Sequence, residues 1–320
     1  MRLWRVRLHP PIKTIDLLDM LVSLLSLEWQ YFNMIYFILA LTAALAASVV
    51  AVPSGPLVAR DSTCPCGYKD SNGAIWREGI NADFTANYNT ALSNFGAQTW
   101  ASNHGYGYNM QMTSSNVYPF NSGLALRTSA YSGGGTIYTA ELDSVRTDFL
   151  YGTFRMRAVV PTVPGVCFGF FTYNGATTPV SEQDIEFLSS DPTYYNTIHY
   201  TDQPGTVGGV VDPDAAAVVT VSVDLTAFHE HRLDWTPTAS KYYVDGALTK
   251  TITKNVPKVA SSLLTNVWSD GGSGWTKGPP TADAVATIYY IKAYFNSTTL
   301  SEASFNSQCV AAGRPAPCSV

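Results

Sequence analysis

The sequence is short of charge. Lys, Arg, Asp and Glu make up only 13% of its 320 residues, about half the share of an average soluble protein. It also lacks an excess of basic residues, with 19 Lys and Arg against 24 Asp and Glu and a net charge of -5. Binding to a nucleic-acid backbone is thereby excluded, because counterion release needs clustered cations. Helical periodicity is missing as well, and no internal repeat or linker interrupts the chain after residue 64. Disorder is ruled out by what remains, since 46% of residues are hydrophobic and 12% aromatic, including 19 Tyr and 7 Trp. With so few charges, the surface must consist of Ser, Thr, Asn, Gly and Tyr, which suits a β-rich protein that meets neutral polar ligands.

Only one long apolar run occurs. It starts at Met34, continues through Val52, and ends in the small-residue steps Ala44-Leu45-Ala46 and Val49-Val50-Ala51. A secretory signal peptide has this form, and the run is also long enough for a membrane anchor. Residues 1–51 are therefore expected to be a signal region, with Met34 as the initiator of a chain whose start was placed too early. Residues 52–63 are expected to be a linker or pro-segment, and residues 64–320 the single folded domain of a secreted monomer. The membrane is a partner only if residues 34–52 remain as an uncleaved anchor. Residues 300–320 carry no hydrophobic tail, which favours a soluble form over a glycolipid-anchored one.

Five cysteines fit an oxidising compartment. Cys64 and Cys66 open the domain, Cys309 and Cys318 close it, and Cys167 lies in an apolar strand. Neither histidine nor a second cysteine pair stands at zinc spacing around Cys64-Pro-Cys66. Disulfides are expected instead, either Cys309–Cys318 or the two ends stitched together, leaving at least one thiol; Cys167 reads as a small buried hydrophobe. Asn296-Ser-Thr298 is a glycosylation sequon.

From residue 64 onward, period-two alternation recurs between Gly, Pro, Asn and Ser clusters. In Gly152–Val160 the residues Phe154, Met156 and Ala158 share one face, with Arg155 and Arg157 on the other. Asp245-Gly246 marks a hairpin turn. The fold class is therefore all-β, one large antiparallel sandwich with a concave face.

The segment Val180-Ser-Glu-Gln-Asp-Ile-Glu-Phe-Leu188 carries the chemistry. Glu182, Asp184 and Glu186 alternate, so in a strand they project from one face, while Gln183, Ile185 and Phe187 point mostly into the core. Three carboxyls in register repel one another, so at least one must titrate high. A solvated edge or a calcium site would be the plainer reading, but the apolar flanks place the segment in a central strand. Two carboxyls with different proton affinities converging over a concave sheet suit retaining glycoside hydrolysis.

These residues resemble the E-x-D-x-E signature of glycoside hydrolase family 16, in the version without an extra bulge residue that lichenases (β-1,3-1,4-glucanases) and wall-polysaccharide transglycosylases carry. The similarity extends through Tyr151-Gly-Thr-Phe-Arg-Met-Arg157, Gly169–Gly175, Phe228–Pro237, Tyr242–Gly246 and Asn266-Val-Trp268. The Cys64–Asp70 opening and Trp275–Pro280 look most like secreted fungal members. The resemblance implies a concanavalin A-like β-jelly roll, with Glu182 as nucleophile, Glu186 as general acid/base and Asp184 as their electrostatic helper. It also implies cleft contacts from Arg146, His199, Thr201, Asn266, Trp268 and Trp275, the tryptophans stacking on sugar. Arg146 as a surface residue and His199 as a core or loop residue remain open alternatives. Trp235 is assigned to the core. A polysaccharide is the expected partner; no cofactor is called for, and no motif calls for structural calcium. One departure matters: Val180 and Ser181 stand where lichenases have Trp and Asp, so a stacking subsite is absent or supplied elsewhere. The expected function is endo-β-glucanase, with transglycosylase and non-catalytic lectin as alternatives.

Overall fold

The computed structural model describes residues 63–320; the signal-region reading of residues 1–51 and nearly all of the 52–63 segment lie outside them. Two large sheets dominate. The outer sheet runs, edge to edge, through Ala247–Ile252, Ser240–Val244, His229–Trp235, Phe149–Val159, Ala284–Ser297, Gly123–Thr128 and Val117–Phe120. Its longest strand, Ala284–Ser297, serves two partners on one side: Ala284–Ile288 pairs with Gly123–Thr128 and Tyr290–Phe295 with Glu78–Asp83. The inner sheet runs through Ala216–Thr220, Thr197–Asp202, Ser181–Leu188, Cys167–Asn174, Ser262–Trp268, Thr136–Ser144, Asn109–Met112 and Ala101–Asn103.

Alternation decides which faces meet. Phe154, Met156 and Ala158 are buried, as are Leu233, Ile291 and Phe295 from the neighbouring strands of the same sheet and Phe168, Phe170, Ile185 and Phe187 from the facing sheet. This interlayer core is where apolar burial, worth roughly 25 cal/mol per Å², stabilises the sandwich. Trp235 is fully buried within it, its indole N–H donating to the Pro257 carbonyl at 2.9 Å. Asp245 and Gly246 both have positive φ (48° and 80°) between paired strands, which is the two-residue turn whose twist matches a hairpin.

One polar network crosses the core. Gln183 accepts from Thr172 at 3.0 Å and donates to Ser240 at 2.5 Å, Ser240 donates to Asp202 at 2.5 Å, and Tyr242 donates to the other Asp202 oxygen at 2.6 Å. Gln183 thus points inward, as expected, but it ties the Ser181–Leu188 strand to the outer sheet rather than merely filling space.

Both chain ends of the domain are stitched together. Cys64 bonds to Cys318 and Cys66 to Cys309, and a small sheet of Tyr68–Lys69, Ile75–Trp76 and Cys318–Ser319 joins them. Although no segment shows a sustained helical period, Glu302–Ala311 is an α-helix capped by Ser301, whose hydroxyl accepts from the Ser304 N–H at 3.1 Å. Its only buried residue is Phe305. Hydrophobic periodicity is therefore absent, and the cap and the Cys309 disulfide hold the helix instead.

Candidate active site

The three acids sit at the centre of the inner sheet. Strand register builds rows across the concave face. Glu186 is flanked by His199 on one side and by Gly169, Asn266 and Glu141 in turn on the other; Asp184 is flanked by Thr201 and by Phe171, Leu264 and Asp143. Register partners share a face, so all of these side chains look into one groove. The groove encloses a cavity of about 530 Å³ walled in part by Trp100, His104, Tyr173 and Trp268.

Glycine at position 169 is required there. A Cβ on it would lie 2.7 Å from Asn266 Oδ1, so only glycine leaves the floor open between Glu186 and Asn266.

The three carboxyls occupy unequal surroundings. Asp184 is 4% exposed and accepts from Gln203 Nε2 at 3.0 Å. Burial, then the charges of Glu182 and Glu186, push its carboxyl well above the usual range. Glu182 is raised to about 7 by burial and by the Glu186 charge, while its hydrogen bond to Asp184 pulls it back towards the ionised form. Glu186 is also raised by burial, and two donors oppose this: Cys167 Sγ at 3.2 Å and Trp275 Nε1 at 3.4 Å, both on Oε1. His199 lowers it further by charge. The arrangement can present one anionic carboxylate and one protonated carboxyl to the same bound group.

The remaining expected residues divide. His199 pairs beside Glu186, holds Asp191 at 2.8 Å through Nε2 and meets the Trp275 ring edge-on at 5.2 Å. Thr201 lies in register with Asp184. Asn266 donates to Glu141 at 3.0 Å. Trp268 stacks against His104 at 6.3 Å on the rim, and Trp275 is 40% exposed. All of these border the groove. Arg146 does not, and its assignment is corrected. It lies two residues past the end of Thr136–Ser144, where its guanidinium is held by Glu78 at 2.6 Å and Asp148 at 2.7 Å and covers the Phe295 ring at 4.8 Å. Two carboxylates and an aromatic face satisfy it, so it serves the fold.

Several groove residues escaped the sequence reading. Glu141 and Asp143 alternate with the apolar Ala140 and Leu142, which is the same pattern that marks the central strand and was the available signal. Trp100, whose indole N–H donates to Glu141 at 2.9 Å, sits outside any motif. Cys167 is buried as expected, but its contact with Glu186 places it in the site.

Comparisons with known proteins agree with this geometry. The model of glycosyl hydrolases family 16 matches residues 104–292. A β-glucanase of Bacillus subtilis (strain 168) is 34% identical over 151 residues, covering 47% of this chain and only 58% of that relative. A β-glucanase of Paenibacillus macerans is 32% identical over 191 residues, covering 57% of this chain and 76% of the relative. The solved β-glucanase of Bacillus licheniformis shares the fold at a TM-score of 0.55 and 22% identity, over 68% of this chain and 98% of its own. The match of the family model over more than half of the chain, laid on a jelly-roll sandwich with its acids in the groove, shows that this protein is a glycoside hydrolase belonging to glycosyl hydrolase family 16.

Proposed function

We propose that the chain is a secreted, retaining endo-β-glucanase acting on β-1,3/1,4-linked glucan. The observation that carries the reading is the trio of carboxyls on one strand face with unequal proton environments, at the floor of an open groove. The Glu182 carboxylate attacks the anomeric carbon as Glu186 protonates the departing glycosidic oxygen. Glu186, now ionised, takes a proton from water, whose oxygen attacks the same carbon and frees Glu182. Asp184 donates a hydrogen bond to Glu182 in the resting state, which favours the ionised form of the attacking carboxylate beside Glu186. Thr201, Asn266, Trp268 and Trp275 hold the chain in the groove, and His199 fixes the Glu186 side through Asp191. The protein acts as a monomer outside the cell, with residues 1–51 as its signal region, and the opening and Trp275–Pro280 segments mark it as a fungal-type member.

A second reading is favoured by one feature. Beyond Glu186, on the flank of His199 and Trp275, lies another cavity of about 770 Å³. It can hold a sugar acceptor in place of water, which would make the chain a transglycosylase. Product analysis on barley mixed-linkage glucan, laminarin and chitin oligomers separates the cases. Shortened oligosaccharides from wild type and none from Glu182→Gln support hydrolysis, and products longer than the substrate support transfer. Full activity in Glu182→Gln would remove the assignment.

A further inference from the structure

Gln203 lies one residue past the strand Thr197–Asp202, half-buried and outside every motif. It nevertheless reaches two of the three acids. Its backbone N–H donates to the Glu182 carbonyl at 3.0 Å, and its side-chain Nε2 donates to Asp184 Oδ2 at 3.0 Å. The other end of the amide settles its orientation, because Oε1 accepts from the Gly205 N–H at 2.9 Å. Turned over, the amide would set its NH2 group against that N–H, donor to donor.

The Gly205 N–H is fixed in its turn. The Gly205 carbonyl accepts from the Asp212 N–H at 2.9 Å, Lys254 pairs with Asp212 at 2.6 Å, and Asn255 donates to the Pro204 carbonyl at 2.9 Å. These bonds close the root of the hairpin formed by Thr206–Val207 and Val210–Val211. A Cβ at position 205 would lie 2.5 Å from Thr201 Cγ2, so only glycine brings its N–H to the amide along this path.

Burial, then the Glu182 and Glu186 charges, raise the Asp184 carboxyl, and the bond from Gln203 opposes them without prevailing. Its effect is therefore on where the carboxyl proton sits. An oxygen that accepts from an amide N–H is the worse place for a proton, which leaves Oδ1 to carry it. Hydrogen bonds in series polarise one another, so donation into Oδ2 also strengthens donation from Oδ1. We propose that Gln203 is a positioning residue for the nucleophile: held by Gly205, it turns the Asp184 proton towards Glu182, which keeps Glu182 ionised for attack. The inference rests on the reading of Glu182 as nucleophile, but half of its test reads that carboxyl without turnover.

Two variants separate the hydrogen bond from the space it fills. Gln203→Met keeps the length of the side chain without donor or acceptor. Gln203→Glu keeps the bond from Gly205 but turns a carboxylate oxygen towards Asp184, which then has a second acceptor competing for its proton. In the full disulfide-bonded chain, Glu182 is titrated by carbon-13 NMR of its carboxyl, assigned by its loss in Glu182→Gln. The acidic limb of kcat/KM on a soluble β-glucan is recorded alongside. The Glu182 midpoint is expected to rise by about half a pH unit in Gln203→Met and by at least about one in Gln203→Glu, with the acidic limb following. An unmoved or lowered midpoint in Gln203→Met overturns the proposal, even if Gln203→Glu moves it, because added charge alone would then be the cause. Gln203→Asn, one methylene too short to span Gly205 and Asp184, gives the same reading should Gln203→Met not fold. A raised midpoint that the limb does not follow removes Glu182 as nucleophile and leaves the positioning of its proton partner standing.

Discussion

Replacing Cys167 with valine should shift the activity profile towards alkaline pH. The thiol donates to Glu186 Oε1 at 3.2 Å and favours the ionised form of that carboxyl. Valine is close in size and keeps the site apolar, so the change isolates the hydrogen bond. A thiol is a weak donor, so the lower end of the range for bonds to charged groups applies, about 1.5 kcal/mol, which corresponds to roughly one pKa unit. Losing the bond removes a lowering influence, so the Glu186 pKa rises. The general acid then stays protonated to higher pH, and the alkaline limb of kcat/KM moves up by about one unit. Serine, a stronger donor at the same position, should move the limb down. The assay is initial rate against pH on a soluble β-glucan, with unfolding followed alongside to exclude loss of fold. An unmoved limb in Cys167→Val, or the same direction of shift in both variants, would refute the role given to the thiol.

Other consequences concern the frame. The disulfide separations of 254 and 243 residues differ by 11, the length of the short loop between the two bonds that opens when either one is cut. On the chain-entropy model, either single removal costs about 3 kcal/mol but removal of both about 8; urea titration of the Cys→Ser variants checks this, and strictly additive costs would contradict it. Asp202 is fully buried and raised to about 7, chiefly by burial. A carboxyl raised on folding contributes stability that is complete below its unfolded value and lost as pH rises through its folded one, so stability should fall between about pH 4 and pH 8 by up to ~4 kcal/mol from this group. Calorimetric Tm against pH tests it, and Asp202→Asn should flatten the slope. His231, buried and lowered to about 3, acts in the opposite sense, losing stability as pH falls below about 6.5. Gly169→Ala should displace Asn266 and lower kcat/KM by about tenfold while altering Tm little; unchanged kinetics would show that the glycine is not needed to keep the floor open.

Much of this was legible from one dimension. Alternation in Gly152–Val160 placed Phe154 and Met156 in the core, Asp245-Gly246 placed a hairpin, and the spacing of Glu182, Asp184 and Glu186 put three acids on one face, because each signal is carried by residues a few positions apart. What failed depends on neighbours far apart in the chain. Glu141 faces the groove through Asn266, 125 positions away, and Cys167 reads as a hydrophobe until the register with Leu188 sets it beside Glu186. Arg146 was misplaced because chain proximity to a cleft strand says nothing about the turn that carries it to Glu78 and Asp148. The disulfide partners followed only once the small sheet brought both ends together.

The central claim is that Glu182 attacks the anomeric carbon and Glu186 acts first as acid and then as base. Proton NMR of the first-formed reducing end, recorded before mutarotation, tests it most directly. The account expects the β anomer to appear first, with the α anomer growing only afterwards; an initial α anomer would mean inversion and would contradict it.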